Sequence, residues 1–189
     1  MKVALTLFLV MASFWVGAQT RVLPMTDAID TILRDFPSNL SHITGELVLA
    51  QGEFENYSSR VQLPGAEECI ITHWHSNRDT TVSWQAQVYS GDDFDAAEKK
   101  YHQLFREVHQ CYMRMPDSTL AFLSGDWAEP KEGVSFTTST LQLKTAGWRY
   151  RDVQVLVELV YNLADWTVRV SIVSKKPDDE VGGEKVVGL

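Results

Sequence analysis

Apolar positions along this chain follow two rhythms, and the changes between them mark its elements. Phe94, Ala97, Tyr101, Leu104, Val108 and Cys111 recur every three or four residues, with Lys99, Lys100, Gln103, Arg106 and Gln110 between them. At 3.6 residues per turn that stripe lies along one side of a helix, so the spacing predicts an amphipathic helix with one face in a core. Asp93 or Asp95 can cap its start, and Asp95-x-x-Glu98 resembles a capping box with Asp in place of Ser. A shorter stripe of Ala28, Ile29, Ile32, Leu33 and Phe36 predicts a first helix over residues 25–36, with Thr26 as its cap and Pro37 ending it.

Elsewhere the period is two. Val82, Trp84, Ala86 and Val88 alternate with Ser83, Gln85 and Gln87, and Val168, Val170 and Ile172 alternate with Thr167, Arg169 and Ser171. Residues 57–63, 70–75, 136–143 and 153–161 read as further strands, and 120–123 as a short one. Hairpin-sized turns fall at Ser76-Asn77-Arg78-Asp79, at Asn162-Leu163-Ala164-Asp165 and at Pro64-Gly65. Alternation of this kind belongs to antiparallel sheets with one covered and one wet face. The fold class is therefore α+β: an antiparallel sheet of about six to eight strands with two helices packed on one face. The order helix, hydroxyl-rich strand, middle strand, turn, alternating strand occurs twice, which suggests a duplicated helix-plus-three-strand unit. Residues 113–133, interrupted by Gly125, Pro130 and Gly133, resist assignment.

The two ends carry different signals. Lys2 precedes an apolar run from Val3 to Trp15, broken only by Thr6 and Ser13, and Val16-Gly17-Ala18 places small residues before Gln19. That is the layout of a secretory leader over residues 1–18, too short and wrongly flanked for a spanning helix. Cleavage would leave a single domain over 19–174 and a polar, disordered tail over 175–189. The expected product is an exported, soluble protein, periplasmic or extracellular, with no membrane span. Its 171 residues suffice to bury about 70% of the unfolded surface.

Charge narrows the partners. The chain carries −8 formally, and loss of Lys2 would make that −9. The densest basic spots, Lys99-Lys100 and Lys175-Lys176, are only pairs. Phosphate backbones and anionic membranes would be repelled, so nucleic acid is excluded as an expected partner. In an oxidising compartment the two cysteines, Cys69 and Cys111, read as one disulfide joining helix to sheet, contributing about 4 kcal/mol through loop closure.

Three patterns could carry chemistry. His73 and His75 in Thr72-His73-Trp74-His75 would point to one face of a strand, the geometry of an H-x-H metal pair suited to zinc or copper. Asp79, Glu67 or Glu68 would supply a third ligand; otherwise the two imidazoles simply end a strand on its solvent side with Trp74 packed opposite. His102 and His109 read as boundary residues of the second helix, where a pH-sensing imidazole is conceivable. The outward strand positions Ser83, Gln85, Gln87, Thr137, Ser139, Gln142, Thr167, Arg169 and Ser171 form a surface of hydroxyls and amides suited to a protein partner or a glycan. Ser83, Gln85, Gln87, Arg169 and Ser171 are its core, with Trp127 and Trp148 as aromatic anchors. Asn39 and Asn56 would be glycosylation acceptors in a eukaryotic host. No G-x-S-x-G, phosphate-binding glycine loop, calcium loop or dinucleotide fingerprint occurs, and the acid pairs are adjacent residues that point apart. The reading is a non-enzymatic binding or envelope-associated protein acting through its sheet face. The alternative is a metal-binding protein or hydrolase centred on His73 and His75.

Overall fold

A computed structural model describes residues 21–75, 80–144 and 147–174. The leader, the tail from Lys175 and the 76–79 turn lie outside them. In chain order the elements are β1 (Arg21–Val22), α1 (Met25–Asp35), β2 (Thr44–Gln51), β3 (Phe54–Ser59), β4 (Val61–Gln62), β5 (Glu68–His75) and β6 (Thr80–Gly91). The second half contributes α2 (Phe94–His109), β7 (Tyr112–Arg114), β8 (Leu120–Gly125), β9 (Phe136–Leu143), β10 (Val153–Asn162) and β11 (Asp165–Ser174). Short 3-10 turns cover Phe36–Ser38 and Trp148–Tyr150.

Nine strands form one open antiparallel sheet in the order β2-β3-β5-β6-β11-β10-β9-β8-β7, while β1 and β4 make a separate two-residue parallel pair. The architecture is α+β with two helices, and the strand count exceeds the six to eight expected. Each helix is followed by a meander, but of four main strands rather than three. The β1–β4 pair and the short β7 have no counterparts in the other half, and nothing beyond the shared order supports a duplicated unit.

The α2 stripe behaves as its spacing requires: Ala97, Tyr101, Leu104, Val108 and Cys111 are buried. Asp93 is the cap, its carboxylate accepting from the amides of Asp95 (2.9 Å) and Ala96 (3.3 Å). In α1 the expected Thr26 cap is not used. Pro24 occupies that position, and the Thr26 hydroxyl instead donates to the Cys111 sulfur at 3.7 Å. Both helices join one core with Ile71, Val82, Trp84, Ala86, Val155, Val157, Val168, Val170 and Ile172. The expected strand over 57–63 is broken after Ser59. The Ser59 hydroxyl accepts from Trp84 Nε1 (2.9 Å) and donates to the Val61 carbonyl (2.8 Å), so the chain kinks around a buried polar hinge.

The expected disulfide is absent. Cys69 and Cys111 are both buried free thiols. Each has its own setting: Cys69 lies on β5 opposite Ala86, and Cys111 follows α2, donating to the Glu107 carbonyl at 3.3 Å. Burial pushes the Cys69 thiol up to about 11 and raises that of Cys111 as well, so both remain protonated and unreactive at neutral pH.

Candidate functional site

The sheet's second face is the largest uniform feature left open, and all five residues predicted for it lie there together. Across the β6–β11 pairing Ser83 stands opposite Val173, Gln85 opposite Ser171, and Gln87 opposite Arg169. Alternation turns Trp84, Ala86, Val170 and Ile172 into the core and leaves this set on the other face, where Ser83, Gln85, Gln87 and Arg169 are half-buried and Ser171 is buried. A polar row extends from it in both directions. Arg169 faces Glu158 on β10, Glu158 faces Thr138 on β9, and Gln87 faces Glu68 on β5. With strands about 4.8 Å apart, the row Thr138–Glu158–Arg169–Gln87–Glu68 spans about 19 Å.

Glu158 is the centre of that row and was not read from the sequence. It is only 6% exposed, and its Oε2 accepts from Arg169 Nε (2.8 Å) and from the Ser171 hydroxyl (2.7 Å). A carboxylate so placed needs both donors, because an unpaired buried charge is strongly unfavourable. Beside it, Thr138 Oγ1 is buried without a hydrogen-bond partner among the described residues. Aromatic pairs lie on the same face but away from the row, Trp74 being six residues, about 20 Å, along β5 from Glu68. Phe54 and Trp74 pack at 5.3 Å between ring centres near β2, and Tyr112 and Phe122 at 5.6 Å near β7. Trp74, Phe122 and Phe136 are all exposed.

Two hydroxyls expected outward point inward instead. Thr137 and Ser139 are buried on the core side, opposite Leu159 and Val157. The reason is α2: the Tyr101 hydroxyl bonds the Ser139 hydroxyl at 2.7 Å, and Ser139 also accepts from the Ala128 amide at 3.0 Å. Trp127, expected as an anchor, packs on Tyr101, His102 and Phe105, and donates to Glu129 at 2.7 Å. It covers α2 rather than reaching for a partner. Trp148 remains exposed, with the Arg149 guanidinium 5.5 Å from its ring centre. His102 and His109 are exposed on α2, each against an aromatic ring.

His73 and His75 do share a face, but it is the core face, where β5 runs past the end of the hydrophobic cluster. Cys69 and Ile71 precede them in the same alternation and are buried; His73 is half-buried and His75 exposed. Trp74 is on the opposite face, but that is the open one, and its ring is exposed rather than packed into the core, with the histidines on the core side instead of the solvent side. The residue that meets them is Glu55 on β3, opposite His73, which accepts from the Tyr57 hydroxyl (2.7 Å) and lies 3.2 Å from His75 Nε2. Those two contacts hold the Glu55 carboxyl below its usual range, and the first raises the Tyr57 hydroxyl. Burial lowers His73, whose Nε2 has no partner among the described residues, and whose ring meets Tyr57 edge-on at 5.2 Å. Glu68 begins β5, five residues from His73, or about 17 Å along a strand, and alternates to the other face. Neither it nor the preceding Glu67 can join the histidines, and Asp79 is outside the described residues. Among the described residues no three His, Cys, Asp or Glu side chains are grouped to hold a metal ion.

Surface depressions are shallow and open, such as the one lined by Asp95, Glu98, Lys99, His102, Trp127 and Glu129. No described helix is long and apolar enough to cross a membrane. Comparison with protein-family models, curated proteins and solved structures found no match.

Proposed function

We propose that this is an exported, non-enzymatic binding protein that holds a protein partner on its open sheet face. The carrying observation is the row Thr138–Glu158–Arg169–Gln87–Glu68, with Glu158 fixed by two donors at its centre, on a face that also carries the exposed rings of Trp74, Phe122 and Phe136. Aromatic anchors around fixed hydrogen-bonding groups are what protein recognition uses, and both helices are committed to the other face. The aromatic pairs sit on strands near opposite edges of the sheet, which suits a broad partner better than a single sugar ring. Export rests on the leader over residues 1–18, with cleavage before Gln19.

A photo-cross-linking side chain at Gln87, used in the native compartment, tests this reading. A discrete protein adduct is expected, and it should disappear in the Ser83→Asp, Gln85→Glu double variant. Ser171→Asp is unsuitable, because a second carboxylate beside Glu158 would repel the one already buried. A clean gel lane, an adduct insensitive to the double variant, or a polysaccharide adduct would each defeat the proposal.

A second reading is favoured by one observation, the partnerless His73 Nε2 facing Glu55. It has the His73/His75 pair taking zinc or copper, with no third His, Cys, Asp or Glu grouped with them to hold the ion among the described residues. A melting temperature raised by added zinc or copper, and unresponsive in His73→Ala, is its signature; no shift with either metal removes it.

A further inference from the structure

The hydrophobic core stops short of the β10–β11 turn and leaves a depression of roughly 420 Å³ there. Tyr161 and Trp166, which pair across that hairpin, line it together with Asp92, Glu132 and Ser135. Tyr161 alternates in phase with Val157 and Leu159, so the depression opens on the helix side. It is a separate surface from the open face.

The two rings are held in place. Phe94 of α2 meets Trp166 edge-on at 4.9 Å, and Tyr161 leans on the same indole at 4.9 Å. Tyr161 is 40% exposed, so part of its ring stays open to an incoming group. Trp166 is only 6% exposed. Its indole N–H, a donor without acceptor capacity, has no hydrogen-bond partner among the described residues. The fully enclosed side-chain atoms left without a partner are His73 Nε2 and Thr138 Oγ1. Trp166 Nε1 is not enclosed in that way, so it lies on the small part of the ring that opens into the depression.

The lining therefore makes two demands. The indole needs an acceptor. Asp92 and Glu132 need positive charge, because both are exposed and neither forms an ion pair among the described residues. The negative field reaches past them: burial, then the charges of Asp93, Asp92 and Asp165, push the Tyr89 hydroxyl above its usual range. A bare metal ion offers the indole nothing and wants more ligands than two carboxylates, and no three such side chains are grouped among the described residues. A free polyamine brings charge but no acceptor. A neutral sugar brings acceptors but leaves both carboxylates without a counter-charge. A peptide containing arginine meets both demands, with a planar guanidinium that bonds carboxylates and stacks on aromatic faces, and a backbone carbonyl for the indole.

We infer that this depression binds an arginine-containing peptide segment, its guanidinium held by Asp92 and Glu132 over Tyr161 and its carbonyl accepting from Trp166 Nε1. Lysine fits less well, because an ammonium is a point charge without the planar fork. The net charge of −8 draws such a segment in, so association weakens as salt rises.

The test is a titration of the isotope-labelled, purified protein with acetyl-Gly-Arg-Gly-amide, followed at the tryptophan indole N–H resonances. A saturable shift of the Trp166 resonance is expected, weaker at high salt. The citrulline tripeptide, similar in shape but uncharged, should bind about tenfold more weakly. The Asp92→Asn, Glu132→Gln double variant should also lose about tenfold in affinity, with an unchanged melting temperature, since both side chains are exposed and without ion pairs. Tyr161→Leu should lose about threefold. Spermidine should leave the Trp166 resonance in place. No saturable shift up to about 10 mM tripeptide overturns the inference, as does a shift confined to other indoles. So do equal binding of the citrulline tripeptide, a double variant that binds as tightly as the parent, and spermidine moving the Trp166 resonance as far as the tripeptide does.

Discussion

The sheet has two edges, and the protein treats them differently. At β7 the edge is closed by α1: the buried Asp30 carboxylate, 4% exposed, accepts the Arg114 backbone N–H at 2.7 Å, a bond a further strand would otherwise receive. The Arg114 guanidinium adds contacts to Asp27 at 3.0 Å and to Asp30 at 3.8 Å. At β2 no such helix stands among the described residues, and four consecutive apolar residues are exposed. An unprotected edge beside a protected one shows that this fold has the means to cap an edge and has used it once. A backbone left unpaired in a sheet is a template for association, and the two edges differ in how far they are guarded against it.

The comparison can be broken most severely at the closed edge. Gly125 lies where β8 crosses β9, and a Cβ there would overlap the backbone of Thr140 and Leu141. Gly125→Ala should therefore lower stability by more than about 3 kcal/mol or prevent folding, read from urea denaturation. The equivalent change at the open edge, Gly45→Ala, meets first the Ser58 hydroxyl, a side-chain atom that can rotate, then the Ser58 carbonyl, so it should cost less than Gly125→Ala. Asp30→Ala comes next, at about 2–3 kcal/mol, because it strands the β7 amide and leaves Arg114 and Arg34 without their shared carboxylate. It should also speed hydrogen exchange at Arg114 far more than at β2. Leu49→Lys at the open edge should change stability by less than about 0.5 kcal/mol, since the side chain is already in water.

The smallest expected effect is pH-dependent and belongs to the open-edge side. Burial lowers His73 below 6.5, so the unfolded chain binds more protons on the acid side of that value, and stability falls as pH drops through the window beneath it. Glu55, held below 4.5 by Tyr57 and His75, adds stability that is present above its unfolded value and lost on further acidification. Melting temperature should thus decline modestly from pH 7.5 to 5, and His73→Phe should flatten the first part of that decline. A rise on acidification would contradict both assignments.

Much of the fold was legible, and the failures have causes that can be named. α2, β6, β9, β10 and β11 follow their periodicity to within two residues at each end. β2 escaped notice because its register shifts break the alternation, so Leu47, Val48, Leu49 and Ala50 look like a featureless apolar run. Of the candidate face, Ser83, Gln85, Gln87, Arg169 and Ser171 were readable from their phase, whereas Glu158 reads as an ordinary outward acid until Arg169 is seen across from it. Ser139 was assigned the wrong side because a hydroxyl points inward only when something inside receives it, and Tyr101 is 38 residues away. Glu55 stands 18 positions before His73, and no spacing rule connects them.

What the sequence determined by itself is whatever depends on a residue's near neighbours: helix stripes, strand alternation and an aspartate cap at the start of α2. What only the tertiary structure decided is which groups meet. Cys69 and Cys111 share a chain but not a bond, Thr26 serves a sulfur instead of a helix end, and Asp30 closes one edge while no described residue does the same for the other. Periodicity acts through covalent geometry over a few residues, whereas each of those outcomes is set by packing between segments distant in sequence.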